Sequence, residues 1–212
     1  MAQIELNHLE IYGFCDPAAG RAARASKRLA RQSIVMGARD WLNRWFVLYA
    51  WAGRITPSDL FERILDKYEK YRPNRFGIEA NGMQVLFGSL VRDEAKKRFG
   101  EIKLVPVYQP TNVVKEFRIR SGLEPVINAG RLFLLDKTNP LAVEIRGFPT
   151  AATKDLVDSL ESMIRLAPKR PKDLTRDLES DNYASYLRNT GCPAHLIKQK
   201  LAEFKSQQLE RS

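Results

Sequence analysis

Apolar and polar positions along this chain follow two rhythms. In the opening quarter, three short runs stand out: EIYGFCD (10–16), QSIVMGA (32–38) and WFVLYAWA (45–52). Each is dense in β-branched and aromatic residues and bounded by polar or small ones, which predicts three strands. The Gly-Ala-Arg-Asp stretch between the second and third predicts a hairpin turn, so an antiparallel meander is expected. From Thr56 the spacing changes. Leu60, Ile64, Leu65, Tyr68 and Tyr71 recur at helical intervals behind a capping Thr56 or Ser58 and Pro57; Pro73 and Asn74 end that helix. FGIE (76–79) predicts a strand, 81–99 a helix stopping at Gly100, 102–108 a strand, and 112–123 a basic helix. Residues 126–135 predict a turn or hairpin with a strand. Residues 153–167 predict an amphipathic helix with Leu156, Val157, Leu160, Met163 and Ile164 on one stripe.

Three strands followed by alternating helices and strands predict an α/β fold. Its mixed sheet would be an antiparallel three-strand meander extended by parallel strands, with helices on both faces. Crossover connections carry their loops to one end of such a sheet, where sites form. After Ala167 the chain turns polar. Residues 168–174 read as a linker, and a helix near 193–209 would place Leu196, Ile197, Leu201 and Phe204 on one face. The organisation expected is a core over 1–167 and a basic, partly helical tail over 168–212.

Composition narrows the partners. The 212 residues carry a formal net charge of +10 and are 44% hydrophobic. A real core is available, and the positive charge favours a polyanion, nucleic acid above all. No apolar run approaches the roughly 20 residues of a membrane span, so no membrane association is expected. The N-terminus lacks the pattern of a secretory signal. Two cysteines far apart (Cys15 and Cys192) and two histidines (His8 and His195) form no zinc-binding spacing, and a reducing compartment is expected. Residues 17–31 hold Arg21, Arg24, Lys27, Arg28 and Arg31 and no acid. Such a stretch is either a loop that touches duplex or a solvated loop.

The candidate chemistry lies in the carboxylates. Asp16 ends the first strand, Glu79 ends the strand after the first helix, and Asp155 and Asp158 open the last core helix. Each has an ordinary reading: an Asp-Pro turn, a polar strand end, or acids complementing a helix dipole. Together they have another. Strand ends and a helix start can converge on one sheet edge and hold two hard divalent cations through oxygen ligands. Two such cations, about 4 Å apart, can clamp an in-line phosphoryl transfer. Asp155 and Asp158 lie about 60° apart around the helix and away from its apolar stripe, so either would reach the site from the helix mouth.

The segments GFCDPAAG, GIEANGMQVLF, VVKEFRI, GLEPVINAGRLFL and TKDLVDSLESMI, in this order and spacing, resemble the nuclease domain of the large terminase subunit of tailed bacteriophages. The resemblance covers roughly residues 9–166. It implies the ribonuclease H-like fold, shared with junction resolvases and transposases. It also implies a two-metal endonuclease that cuts concatemeric double-stranded viral DNA, using two Mg²⁺ or Mn²⁺ ions. Asp16 matches the first-strand aspartate and Glu79 the second acid. Lys154 replaces the first member of the usual aspartate pair, which leaves Asp155 or Asp158 as the third ligand. Lys115 and Arg118 fall at the family's basic positions and would face DNA phosphates.

Large terminase subunits also carry an ATPase motor, and no phosphate-binding G-x-x-x-x-G-K-[ST] occurs here. The expectation is therefore an excised or separately encoded nuclease domain. Its partners would be the ATPase domain, the terminase small subunit and the portal protein, in the host cytoplasm. Two other readings stay open: another ribonuclease H-like enzyme such as a junction resolvase, and a non-catalytic nucleic-acid-binding or assembly module.

Overall fold

Strand β1 (Glu10–Asp16) runs through the middle of a six-stranded sheet whose order is β5-β4-β1-β2-β3-β6. It pairs antiparallel with β2 (Gln32–Arg39), which pairs antiparallel with β3 (Trp45–Gly53). This is the expected meander. On the other side β1 pairs parallel with β4 (Arg75–Glu79), and β4 pairs parallel with β5 (Leu104–Val107). Strand β6 (Leu132–Leu134) adds a parallel edge to β3. The computed structural model describes residues 9–17, 31–40, 42–81, 84–110, 112–134, 139–168, 184, 187–188 and 192–209. Of the expected basic loop, Arg21, Arg24, Lys27 and Arg28 lie outside these residues, as do 169–174 of the expected linker.

Helices cover both faces because the strands alternate. Cys15, Ile34, Met36, Phe76 and Ile78 point to one face and pack against α1 (Pro57–Tyr71) and α2 (Gln84–Phe99). Helix α1 starts where its capping predicts: the Thr56 hydroxyl accepts the Asp59 amide at 3.2 Å, with Pro57 in the first turn. Tyr12, Phe14, Val35 and Val47 point to the other face. They pack against α3 (Lys115–Asn128), α4 (Pro140–Gly147) and α5 (Asp155–Leu166). Each face buries a large apolar cluster, the main source of stability in a sheet covered on two sides.

Two elements differ from expectation. Helix α3 runs on through Pro125 to Asn128. The proline removes a single backbone donor, and the buried Ile119 and Leu123 hold the helix against the sheet around it. Helix α4 was not foreseen in the sequence pattern. It spans eight residues, with Asn139 Oδ1 accepting the Leu141 amide at 2.9 Å and Pro140 in the first turn. Downstream, α6 (Ala194–Leu209) packs Leu196, Ile197 and Leu201 against Leu187 and Cys192. No helix among the described residues is long and apolar enough to cross a membrane.

Candidate functional site

Parallel pairing of β1 with β4, in register at Cys15 and Ile78, sets Asp16 and Glu79 side by side at the carboxyl ends of neighbouring strands. Side chains alternate along a strand, so both acids share the face of Phe14 and Gly77. Helix α5 crosses that face closely. A β-carbon on Gly77 would stand 2.8 Å from Val107, 2.9 Å from Phe14 and 3.3 Å from Leu166, so glycine there leaves room for the side chains packed on this face. The close crossing brings Asp158, in the first turn of α5, over the same strand ends. Asp16, Glu79 and Asp158 then line one cleft of about 230 Å³ with Gln109, Lys115 and Arg118.

The electrostatics of this cleft are strained by converging negative charge. Burial pushes the Glu79 carboxyl above its ordinary range, and the nearby Asp158 charge adds to the rise. Hydrogen bonds from Asn81 and Gln109 and the Lys115 charge work the other way; Asn81 Nδ2 donates to Glu79 at 3.0 Å. Two cations from α3 answer the acids. Lys115 Nζ lies 2.7 Å from Asp158 Oδ2. Burial works to lower its pKa, but the charges of Asp158, Asp155 and Asp16 outweigh that and hold it up. The Arg118 guanidinium is forked, one amino group on Asp158 and the other on Glu161, with only 9% of the side chain exposed.

Glu161 anchors the fork from below. It is 2% exposed and also accepts Arg165 Nε at 3.0 Å. Gln109 joins the same network, donating to Ser162 at 2.9 Å and accepting from Arg165 at 2.7 Å. A β-carbon on Gly122 of α3 would fall 2.7 Å from the Glu161 side chain, so the missing side chain there makes room for the acid.

Asp155 goes elsewhere. Its Oδ2 accepts Arg31 Nη1 at 3.1 Å, and the same nitrogen donates to Glu144 at 3.2 Å. Glu144, buried on α4, caps α5 from outside: Oε2 accepts the Leu156 and Val157 amides at 2.8 and 3.1 Å. Its other oxygen accepts the Thr153 hydroxyl at 2.7 Å. A neighbouring helix thus supplies the cap that Lys154, at the N-cap position, does not.

The structure brings Asp16, Glu79, Asp158, Lys115 and Arg118 to one cleft and leaves Asp155 on its flank. Sequence reasoning missed Gln109, Glu161, Glu144 and the role of Arg31. One signal was present for Glu161. Asp158, Glu161, Ser162 and Arg165 recur at i, i+3, i+4 and i+7, a single helix face. Such a face ordinarily meets water; here it meets α3.

Among the described residues, no three Asp, Glu, His or Cys side chains stand close enough together to hold one metal ion. Lys115 and Arg118 sit on Asp158 instead. The donor chemistry nonetheless fits a hard divalent cation: three carboxylates converge on one cleft, and one of them is raised by the charge of another.

Comparison with known proteins places the fold. No protein-family model matches the sequence, and no curated protein matches it either. Solved structures do. The large terminase nuclease domain of P22 aligns at 13% identity with a TM-score of 0.51, covering 77% of this chain and 84% of that one. RuvC of T. thermophilus, in complex with Holliday junction substrate, aligns at 10% identity with a TM-score of 0.43, over 85% and 97% of the two chains. The nuclease domain of the large terminase subunit of bacterial virus Sf6, with manganese and beta-thujaplicinol, aligns at 11% identity and 0.43, over 76% and 89%. The sheet order and the likeness to the P22 domain identify the fold as ribonuclease H-like.

Proposed function

We propose that this chain is a metal-dependent nuclease that hydrolyses phosphodiester bonds of double-stranded DNA, of the kind used in viral genome packaging. One observation carries the reading. Three carboxylates from distant points of the chain, Asp16, Glu79 and Asp158, line one cleft at the carboxyl ends of parallel strands. The similarity of fold to the P22 terminase nuclease domain supports the packaging role, as do the sequence segments that resemble that family.

Asp16, Glu79 and Asp158 would hold two Mg²⁺ or Mn²⁺ ions, with Asp155 at the flank. Such ions lower the pKa of water and neutralise charge on a scissile phosphate. The chain's own residues do the rest. Asn81 and Gln109 orient the Glu79 carboxyl at the strand end. Arg118, pinned by buried Glu161, fixes the place of Asp158. Lys115, half-exposed at the cleft and paired with Asp158, would turn its positive charge to a phosphate. The positive charge of the chain draws the polyanion, and affinity should fall steeply with salt. DNA would be held through phosphates, which gives weak sequence preference. The small subunit, the portal protein and an ATPase domain are the partners this role would need, in the host cytoplasm.

The test is supercoiled plasmid incubated with Mn²⁺, Mg²⁺ or EDTA, comparing wild type with Asp16→Ala. Nicking that requires the metal and disappears in the variant is the expected result. DNA binding without metal-dependent nicking would make the chain a binding module. Preferential cutting of four-way junctions over linear duplex would make it a resolvase.

A further inference from the structure

Strand β5 is one edge of the sheet, and Val107 at its carboxyl end pairs with Glu79 of the cleft. Helix α5 packs across β4, β1, β2 and β3. Along the β5 edge the residues on that same face, Lys103, Val105, Val107 and Gln109, are exposed or half-buried. They form a shelf. It starts at the carboxylates, where Gln109 lines the cleft, and runs back to the far end of β4.

The far end of the shelf carries a charge pattern that packing does not ask for. Leu104 pairs with Phe76, so Lys103 stands beside Arg75, one step back along two parallel strands. The Phe76 amide donates to the Lys103 carbonyl at 2.8 Å and fixes that register. Arg75 pairs with Tyr12 of β1 and shares its face. Both cations are exposed. Among the described residues neither makes an ion pair; Arg75 donates to the Leu166 carbonyl at 3.4 Å, and the Lys103 side chain has no hydrogen bond. By contrast, Arg39, Lys115, Arg118 and Arg165 each hold a carboxylate. Like charges side by side on adjoining strands cost stability. The carboxyl end of α5 accounts for Arg75 alone. An anion laid across both cations removes the cost.

The setting says which anion. An open sheet edge lacks the enclosure that holds a small ligand. A polyanion already seated at the cleft reaches the pair by continuation. From Glu79 back to Arg75 is four steps of strand, about 13 Å at roughly 3.3 Å each. Duplex DNA rises about 3.4 Å per base pair, so the pair lies about four base pairs from a phosphate held at the carboxylates. We propose that the β5 edge is the track for one arm of the duplex beside the cut, with Arg75 and Lys103 gripping its phosphates. The inference rests on the nuclease reading and deepens it, by assigning the side of the cleft along which the substrate lies.

The experiment uses the full chain in EDTA and the fluorescence anisotropy of a labelled duplex across about 50–200 mM salt. Lys103→Gln breaks no hydrogen bond of the folded chain. It should flatten the slope of log affinity against log salt by about 0.9, and Arg75→Gln with Lys103→Gln by about twice that. The double variant should also bind at least about tenfold more weakly at the lower salt. The control is Arg131→Gln with Arg146→Gln, which removes the same charge around β6 at the opposite edge; it should keep the wild-type slope. Equal losses from the two doubles, or an unchanged slope in the β5-edge double, overturn the proposal. Plasmid nicking in Mn²⁺ runs alongside. There the β5-edge double should raise KM and leave the saturated rate within about twofold. If wild type nicks and the two doubles behave alike, only this inference falls. If wild type binds DNA and never nicks, the nuclease reading falls and takes the inference with it.

Discussion

Asp155 and Asp158 stand three residues apart on one helix and live in opposite electrostatic worlds. Asp155 belongs to a closed knot in which Arg31, Glu144, Thr153 and two backbone amides satisfy one another. Asp158 belongs to an open cleft where it faces Glu79 and is answered by side chains from another helix. The knot is architecture: it stitches α4, α5 and the start of β2 together and closes on itself. In the cleft the Asp158 charge adds to the rise of the Glu79 pKa, so two acids that disfavour each other's ionisation share one opening, a condition an external cation relieves. About 60° of helical phase separates the two outcomes.

The sharpest way to break this contrast is catalytic. Asp158→Asn and Asp16→Asn should each lower metal-dependent cleavage by about 10³-fold or more, since several kcal/mol of transition-state stabilisation goes with the metal. Asp155→Asn should stay within a few fold of wild type; timed plasmid nicking reads both. An Asp155 variant as dead as the Asp158 one would erase the distinction.

Next in size is Glu144→Ala. It should cost about 3 kcal/mol in urea unfolding, because it takes one of two carboxylates from Arg31 and leaves the Leu156 and Val157 amides without acceptors. Asp155→Asn should cost less than about 1 kcal/mol in the same assay, its pair with Arg31 being partly solvated. Mn²⁺ at a hundred times its dissociation constant should stabilise wild type by about 2.7 kcal/mol. Asp16→Asn should show a clearly smaller gain in thermal melts, and an equal gain would remove Asp16 from the ligand set.

The smallest effect concerns Glu79 without metal. Its folded pKa is raised, so the native state holds the proton longer than the unfolded chain does. Stability contributed by this group is present in acid and is lost as pH climbs from the ordinary carboxylate range through the raised value. Glu79→Gln should therefore melt higher than wild type at neutral pH, by less than about 1 kcal/mol. The gap should close below the carboxylate range. A gap that persists in acid would tie the effect to packing.

Much of this could be read along the chain. Strand periodicity placed Asp16 and Glu79 at strand ends, and parallel pairing did the rest, because residues at the ends of adjacent parallel strands have few places to go but together. Three things were hidden. Helix α4 is short, and its capping Asn139-Pro140 pair gave no sign of how deeply Leu141 would be buried. The polar face of α5 looks like a solvated surface until α3 is laid upon it, so Glu161 and its hold on Arg118 were invisible. The choice between Asp155 and Asp158 depended on Arg31 and Glu144, more than a hundred residues apart, and local spacing carries no information about such partners.

The crossing of α5 over the ends of β1 and β4 has a consequence for biosynthesis. Residue 16 emerges from the ribosome early and residue 158 late, so the sheet can form before its third acid exists. A growing or truncated polypeptide that has not yet laid down this last covering helix carries two of the three cleft acids and cannot assemble the full set. If the cleft cuts DNA as proposed, a hazardous activity switches on only when synthesis of the core is complete.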